Sequence, residues 1–124
     1  MKSEIPTLKK KLQDLVKYIA KILADRHETI SVAESCTGGL LSHSFTNIAG
    51  SSAYFLAGLV VYANQAKTEF ANVDPAIIKS HGAVSKETAT ALAKGAKERM
   101  NANYGIGITG IAGPGGGSAD KPVG

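Results

Sequence analysis

Ser51 and Ser52 follow Gly50 in a break between two predicted elements, and a serine hydroxyl becomes a nucleophile only beside a base. Histidine is a poor source of that base here. His27 falls at a helix end and His43 on a helix face, and His81, ahead of Gly82, can bond the last carbonyls of a helix. No carboxylate spacing completes a Ser/His/Asp triad, and no His/Cys cluster has metal-ligand spacing. Lys67 is the better candidate. It falls in the first helical turn after Asn64, where the positive end of the helix dipole opposes an ammonium, and burial would lower its pKa further. Tyr62, at the end of the preceding strand, could relay the proton or hold the hydroxyl. Spacing alone favours Lys67 as a solvated lysine and Tyr62 as an edge residue of the core.

Two glycine-rich turns add a second kind of chemistry. Ser31-Val32-Ala33-Glu34-Ser35-Cys36-Thr37-Gly38-Gly39 leads from a strand-like run into a helix-like one, and Gly105–Gly117 carries seven glycines after another strand-like run. Unpaired N–H groups at a helix start attract anions, and glycine lets a phosphate approach the backbone. Two such turns point to a phosphorylated small molecule. Ser35, Thr37 and Thr109 can cap helices or reach phosphate oxygens. Glu34 can accept from a ribose hydroxyl or be an ordinary solvated carboxylate. Neither turn is a Walker loop or a full dinucleotide fingerprint.

The elements that must position these residues are legible as hydrophobic periodicity. Leu8, Leu12, Leu15, Val16, Ile19, Ile22 and Leu23 recur at helical spacing and predict a helix from Pro6-Thr7 to about Arg26. Thr29–Ala33 reads as a buried strand. Thr37–Ala49 reads as a helix with Leu40, Leu41, Ser44, Phe45 and Ile48 on one face. A second strand is expected at Phe55–Tyr62, then a short helix capped by Asn64 and another opened by Asp74-Pro75. Ser85 caps a longer helix that turns Ala89, Leu92, Ala93 and Ala96 inward. Tyr104–Thr109 is a third strand, and Gly110–Gly124 is loop.

With 124 residues, 44% hydrophobic and 19% charged, the chain fits one domain over residues 1–124. The net charge of +4 includes Lys9, Lys10, Lys11, Lys17 and Lys21 on the first helix, a solvated face rather than a nucleic-acid site. Aromatics are 6% with no tryptophan, too few for a stacking surface. Cys36 is the only cysteine, so no intrachain disulfide forms. Met1–Pro6 has no signal-peptide core, and the longest apolar stretch, Ala53–Ala63, is too short for a bilayer. A cytoplasmic protein without membrane or nucleic-acid partners is expected.

Five runs taken together resemble the CinA C-terminal domain family, the nicotinamide-nucleotide amidases. They are Ala33–Gly39, Ile48–Ser52, Val61–Lys67, His81–Ser85, and Ile108–Pro114 continued by Gly116-Gly117-Ser118 and Lys121-Pro122-Val123-Gly124. They stand in order and span nearly the whole chain from Thr29 on. The resemblance implies hydrolysis of the carboxamide of nicotinamide mononucleotide to nicotinate mononucleotide and ammonia. It implies Ser52 as nucleophile, with Lys67 and Tyr62 as activating partners. Thr109 would belong to the substrate site. The Ser35–Gly39 turn, with Glu34, Ser35, Thr37, Gly38 and Gly39, and the Gly110–Gly117 loop, with Gly110 and Gly113, would hold the nucleotide. No metal or organic cofactor is implied. The implied fold is a three-layer α/β/α sandwich with a mostly parallel or mixed sheet, in a homo-oligomer.

The family continues beyond Lys-Pro-Val-Gly with further strand and helix and a phosphate-binding arginine, which Arg26 and Arg99 do not match. The chain is therefore expected to be a domain truncated at its C-terminus. The alternatives are a nucleotide-binding module without turnover and a competence or DNA-damage accessory module.

Overall fold

The structure, a computed structural model, describes residues 4–124; the opening Met1-Lys2-Ser3 of the N-terminal reading lies outside the described residues. Helix α1 (Ile5–Arg26) starts with a proline in its first turn and ends where His27 turns left-handed at φ 54°. Val16, Ala20 and Leu23, at i, i+4 and i+7, are its buried stripe. Strand β1 (Ile30–Glu34) is buried along its whole length, as a central parallel strand must be. Then follow α2 (Leu40–Thr46), a 3₁₀ turn (Ser51–Ala53), β2 (Phe55–Val60), α3 (Asn64–Ala71), α4 (Pro75–His81), α5 (Lys86–Met100) and β3 (Tyr104–Ile108).

The three strands form a parallel sheet in the order β2-β1-β3. Glu34, the last residue of β1, pairs with Val60 on one side and Ile108 on the other. Each face of the sheet carries its own core. On one, Val16, Ala20 and Leu23 of α1 and Phe45 of α2 pack with Ile30, Val32 and Tyr54, and the Phe45 and Phe55 rings stack at 5.5 Å. On the other, Ala33 packs with Val61, Ala71, Val73, Leu92 and Ala96 of the α3–α5 side. The fold is the expected three-layer α/β/α sandwich, and the sheet is wholly parallel. Because the strands run the same way, the segments that follow β1, β2 and β3 all emerge at one end. Chain order departs from β1 to opposite sides there, the arrangement that opens a crevice at the carboxyl ends of the strands.

Three local expectations are corrected. Helix α2 begins at Leu40, not Thr37, because Gly38 and Gly39 take φ of 60° and 107°, which no helix residue adopts. It also ends by Thr46, ahead of Gly50 at φ 82°, and Leu40 is 55% exposed, so the packed face reduces to Phe45 with Leu41 and Ile48. Ala63, not Asn64, occupies the cap position of α3, and no side chain caps that helix. The caps of Asp74 and Ser85 form as expected, accepting from the Ala76 and Thr88 amides. Among the described residues, no helix is long and apolar enough to cross a membrane.

Candidate active site

The first glycine turn is built around Glu34. Its side chain is wholly buried and accepts four hydrogen bonds. Thr37 Oγ1 (2.7 Å) and the Leu41 amide (2.9 Å) donate to one oxygen; the Ser42 amide (3.0 Å) and Ser42 Oγ (2.6 Å) donate to the other. Burial pulls this carboxyl's pKa up, but the Ser42 hydroxyl, the Ser42 and Leu41 amides and the Thr37 hydroxyl together outweigh it and hold it below the ordinary carboxylate value. The carboxylate thus satisfies amides at the start of α2 that a phosphate was expected to meet. This corrects two expectations: Glu34 cannot reach a ribose hydroxyl, and the start of α2 already holds its anion. Thr37 spends its proton on Glu34. Gly38 and Gly39 shape the turn, and the Cys36, Thr37 and Gly39 amides have no protein acceptor among the described residues.

The segment after β2 brings in the lysine. Lys67 is 1% exposed, and its Nζ donates to the Tyr62 carbonyl at 2.6 Å. Burial pushes the pKa of this amine below its ordinary value, and the neighbouring Cys36 opposes the shift in part. Bound to the Tyr62 carbonyl through one N–H, a neutral amine keeps its lone pair for another partner. Lys67 is therefore a buried amine, not a solvated lysine. The Tyr62 phenol is 76% exposed; the residue serves Lys67 through its backbone.

The segment after β3 closes the crevice. Thr109 Oγ1 donates to the Ala83 carbonyl at 2.8 Å, which ties the loop to the α4–α5 turn. A Cβ on Gly110 would stand 3.3 Å from Cys36 Sγ, so the loop backbone runs against the first turn. Val123 fills the hollow beside Gly113 and Gly117, and the Gly124 amide donates to the Ile111 carbonyl at 2.9 Å. The loop is thus folded on itself rather than draped. Between it and the first two segments lies a cavity of about 290 Å³, lined by Cys36, Tyr62 and Gly110–Gly113 with Gly115 and Gly116.

Ser52 does not belong to this group. It sits in the 3₁₀ turn that precedes β2, whereas Tyr62 and Lys67 follow that strand. Six residues of strand intervene, roughly 20 Å at about 3.3 Å per residue. Within one chain, Lys67 does not reach Ser52, which corrects the expected pairing of these two residues. Ser35, by contrast, follows β1 and so stands at the same end of the sheet as Lys67, which follows β2. It is 6% exposed, its amide donates to the Ile108 carbonyl at 3.0 Å, and its hydroxyl has no protein partner among the described residues. The sheet register, carried one residue past Glu34, sets it between Val61 and Thr109. Its neighbour Cys36 lies near enough to Lys67 to act on that amine. The signal was available in the sequence: Ser35 follows a strand, Ser52 precedes one, and open parallel sheets build sites after their strands.

Comparison with known proteins places this geometry in a family. The CinA C-terminal domain family matches residues 12–124. A relative from Moorella thermoacetica named for competence-damage induction is 60% identical over 103 residues, which cover 83% of this chain and 25% of that protein. A CinA-like protein of Koribacter versatilis is 55% identical over 112 residues, 90% of this chain and 27% of the relative. The chain thus spans about a quarter of the length of the curated relatives it matches. A crystal structure of the competence/damage inducible protein CihA from Agrobacterium tumefaciens superimposes with a TM-score of 0.87 at 46% identity, over 90% of this chain and 68% of that one. A CinA superfamily protein from Escherichia coli superimposes with a TM-score of 0.84 at 32% identity, over 90% of this chain and 65% of that one. Matched in sequence from Leu12 to Gly124 and in fold around the crevice just described, the chain belongs to the CinA C-terminal domain family.

Proposed function

We propose that this domain hydrolyses the carboxamide of nicotinamide mononucleotide to nicotinate mononucleotide and ammonia, in the cytoplasm, with Ser35 as nucleophile and Lys67 as base. The observation that carries the reading is the buried Lys67, held by the Tyr62 carbonyl at 2.6 Å at the end of the sheet where Ser35 also stands. An amide is a poor electrophile, so its hydrolysis needs an activated nucleophile and donors for the developing oxyanion. A lysine whose pKa is lowered by burial can supply the activation. Lys67 takes the Ser35 proton as Oγ bonds to the carboxamide carbon. The resulting ammonium then protonates the departing nitrogen as the C–N bond breaks. Water, deprotonated by the same amine, hydrolyses the acyl-serine. The Cys36, Thr37 and Gly39 amides, free of protein acceptors, are the donors for the oxyanion. The Gly110–Gly117 loop remains for the nucleotide, because Glu34 fills the anion position at the start of α2.

The test is ammonia release from nicotinamide mononucleotide by the purified chain and by Ser35→Ala, Ser52→Ala and Lys67→Met. The expected result is release by the parent and by Ser52→Ala, with loss of at least about 10³-fold in Ser35→Ala and Lys67→Met. Loss in Ser52→Ala with normal turnover in Ser35→Ala would restore Ser52 as nucleophile. Tight binding of the nucleotide by the parent without ammonia would make the domain a binding module.

A further inference from the structure

Tyr62 has a role left over once Lys67 is accounted for. Its carbonyl holds the lysine, so the side chain is free, and it is 76% exposed at the wall of the 290 Å³ cavity. It is the only aromatic among the residues lining that cavity. The rest of the lining is Gly110, Gly113, Gly115 and Gly116 with Cys36, Ile111 and Ala112. One aromatic ring and a lining otherwise short of bulky side chains leave room for a flat ligand beside Tyr62. No carboxylate lines the cavity, and Glu34, the acidic residue nearest in sequence to the turn, is wholly buried and fully bonded on the α2 side. A cationic ring entering here finds no ion-pair partner. What it finds is the π face of Tyr62, whose quadrupole attracts a cation within about 6 Å of the ring centroid.

We infer that Tyr62 is the stacking platform for the substrate ring and that it selects the oxidised, positively charged pyridinium over the neutral dihydropyridine. The inference rests on the amide-hydrolase reading for the identity of the ring, and it deepens that reading by assigning a specificity residue. It also separates two duties the sequence left joined on Tyr62. A proton relay needs the phenol hydroxyl; a platform needs only the ring. Cation–π contacts at exposed to partly desolvated sites correspond to roughly 2- to 30-fold in affinity, which is the preference expected here.

The experiment is calorimetric titration of the full chain, carrying Ser35→Ala so that ligand is not consumed, with nicotinamide mononucleotide and with its chemically reduced form. Each is repeated in Tyr62→Phe and Tyr62→Leu. An exposed side chain can be replaced without cost to the fold. The expected result is preference for the oxidised form within that range, kept in Tyr62→Phe and reduced to within about twofold in Tyr62→Leu. Preference kept in Tyr62→Leu would overturn the inference. So would its equal loss in Tyr62→Phe and Tyr62→Leu, which would assign the effect to the hydroxyl. Failure to bind either form would overturn it as well. Ammonia assays on the parent chain run beside these titrations. A Tyr62-dependent preference without ammonia release sinks the amidase reading and leaves the platform standing; release with no Tyr62 dependence does the reverse.

Discussion

Replacing Glu34 by glutamine separates two uses of a carboxylate, holding a ligand and holding a helix. The four donors to Glu34 are two amides at the start of α2 and two hydroxyls. A glutamine oxygen in the place of the oxygen nearer Leu41 keeps the Thr37 hydroxyl and the Leu41 amide. The NH₂ group then faces the Ser42 amide, donor against donor, while the Ser42 hydroxyl can rotate and accept. One buried amide is therefore orphaned, at about 1–3 kcal/mol, and the favourable charge at a helix start is lost, about 0.3–1 kcal/mol more. The sum is roughly 1.3–4 kcal/mol. At about 2.1 cal/mol/K per residue, 124 residues give an unfolding entropy near 260 cal/mol/K, so the midpoint falls by roughly 5–15 °C. The assay is thermal and urea unfolding monitored by far-ultraviolet circular dichroism. Folding lowers this carboxyl's pKa, so its contribution is complete above the ordinary value of 4.5 and is lost as pH falls through the lower folded value. The gap between parent and Glu34→Gln should hold constant from pH 7 down to about 5 and close only below 4.5. A variant as stable as the parent, with nucleotide binding alone impaired, would refute the reasoning and return Glu34 to the ribose.

Lys67→Met tests the buried amine through stability as well as turnover. Folding lowers the lysine's pKa from its ordinary 10.5, so the cost of burying its charge is complete below the folded value and relieved as pH rises towards 10.5. The parent should gain stability against urea as pH rises over that window, while Lys67→Met stays flat; parallel profiles would contradict a depressed pKa. Gly95→Ala tests the packing of α5 on α3. A Cβ there falls on the Ala71 carbonyl oxygen, and backbone cannot yield as a flexible side chain does. A loss of about 1–3 kcal/mol or more is expected from the urea midpoint, and an unchanged midpoint would show that the two helices are less closely fitted than described.

Most of the architecture was legible because it rests on periodicity. The stripe of α1, the buried run of β1 and the caps at Asp74 and Ser85 were all placed from residue types alone. What failed was decided by backbone conformation or by tertiary partners. Gly38 and Gly39 looked like the first turn of α2, since nothing in their neighbours says that both take positive φ. Asn64 has a capping side chain, yet the chain enters α3 one residue earlier in its geometry. Glu34 looked free because its four donors come from residues three to eight positions on, and such a cluster exists only once α2 has turned back over β1. Lys67 was recognisable as a candidate base by its position, but its burial depends on packing at the end of the sheet and could not be counted in advance.

Strand polarity and side-chain alternation explain why Ser35, rather than Ser52, shares the Lys67 end of the sheet. A parallel sheet has two unlike ends, and a residue's end is fixed by whether it precedes or follows its strand. Ser52 precedes β2 and Lys67 follows it, so no loop adjustment short of undoing β2 brings them together. Alternation then sorts the two polar neighbours at the end of β1. Val32 faces the α1–α2 core and Ala33 the α3–α5 core. Glu34 returns to the α2 side, where its four donors wait, and the next step of the pleat carries Ser35 towards the side of Lys67. The carboxylate and the hydroxyl are adjacent in sequence yet belong to different layers. Glu34 therefore cannot serve as the base for Ser35, however suggestive the dipeptide looks, and its charge is spent on fixing the turn that presents the serine. A one-residue slip of β1 would exchange the two roles, placing a hydroxyl beneath α2 and a carboxylate beside the lysine. The register pairs Glu34↔Val60 and Glu34↔Ile108, with the Ser35 amide bonded to the Ile108 carbonyl, hold that slip off.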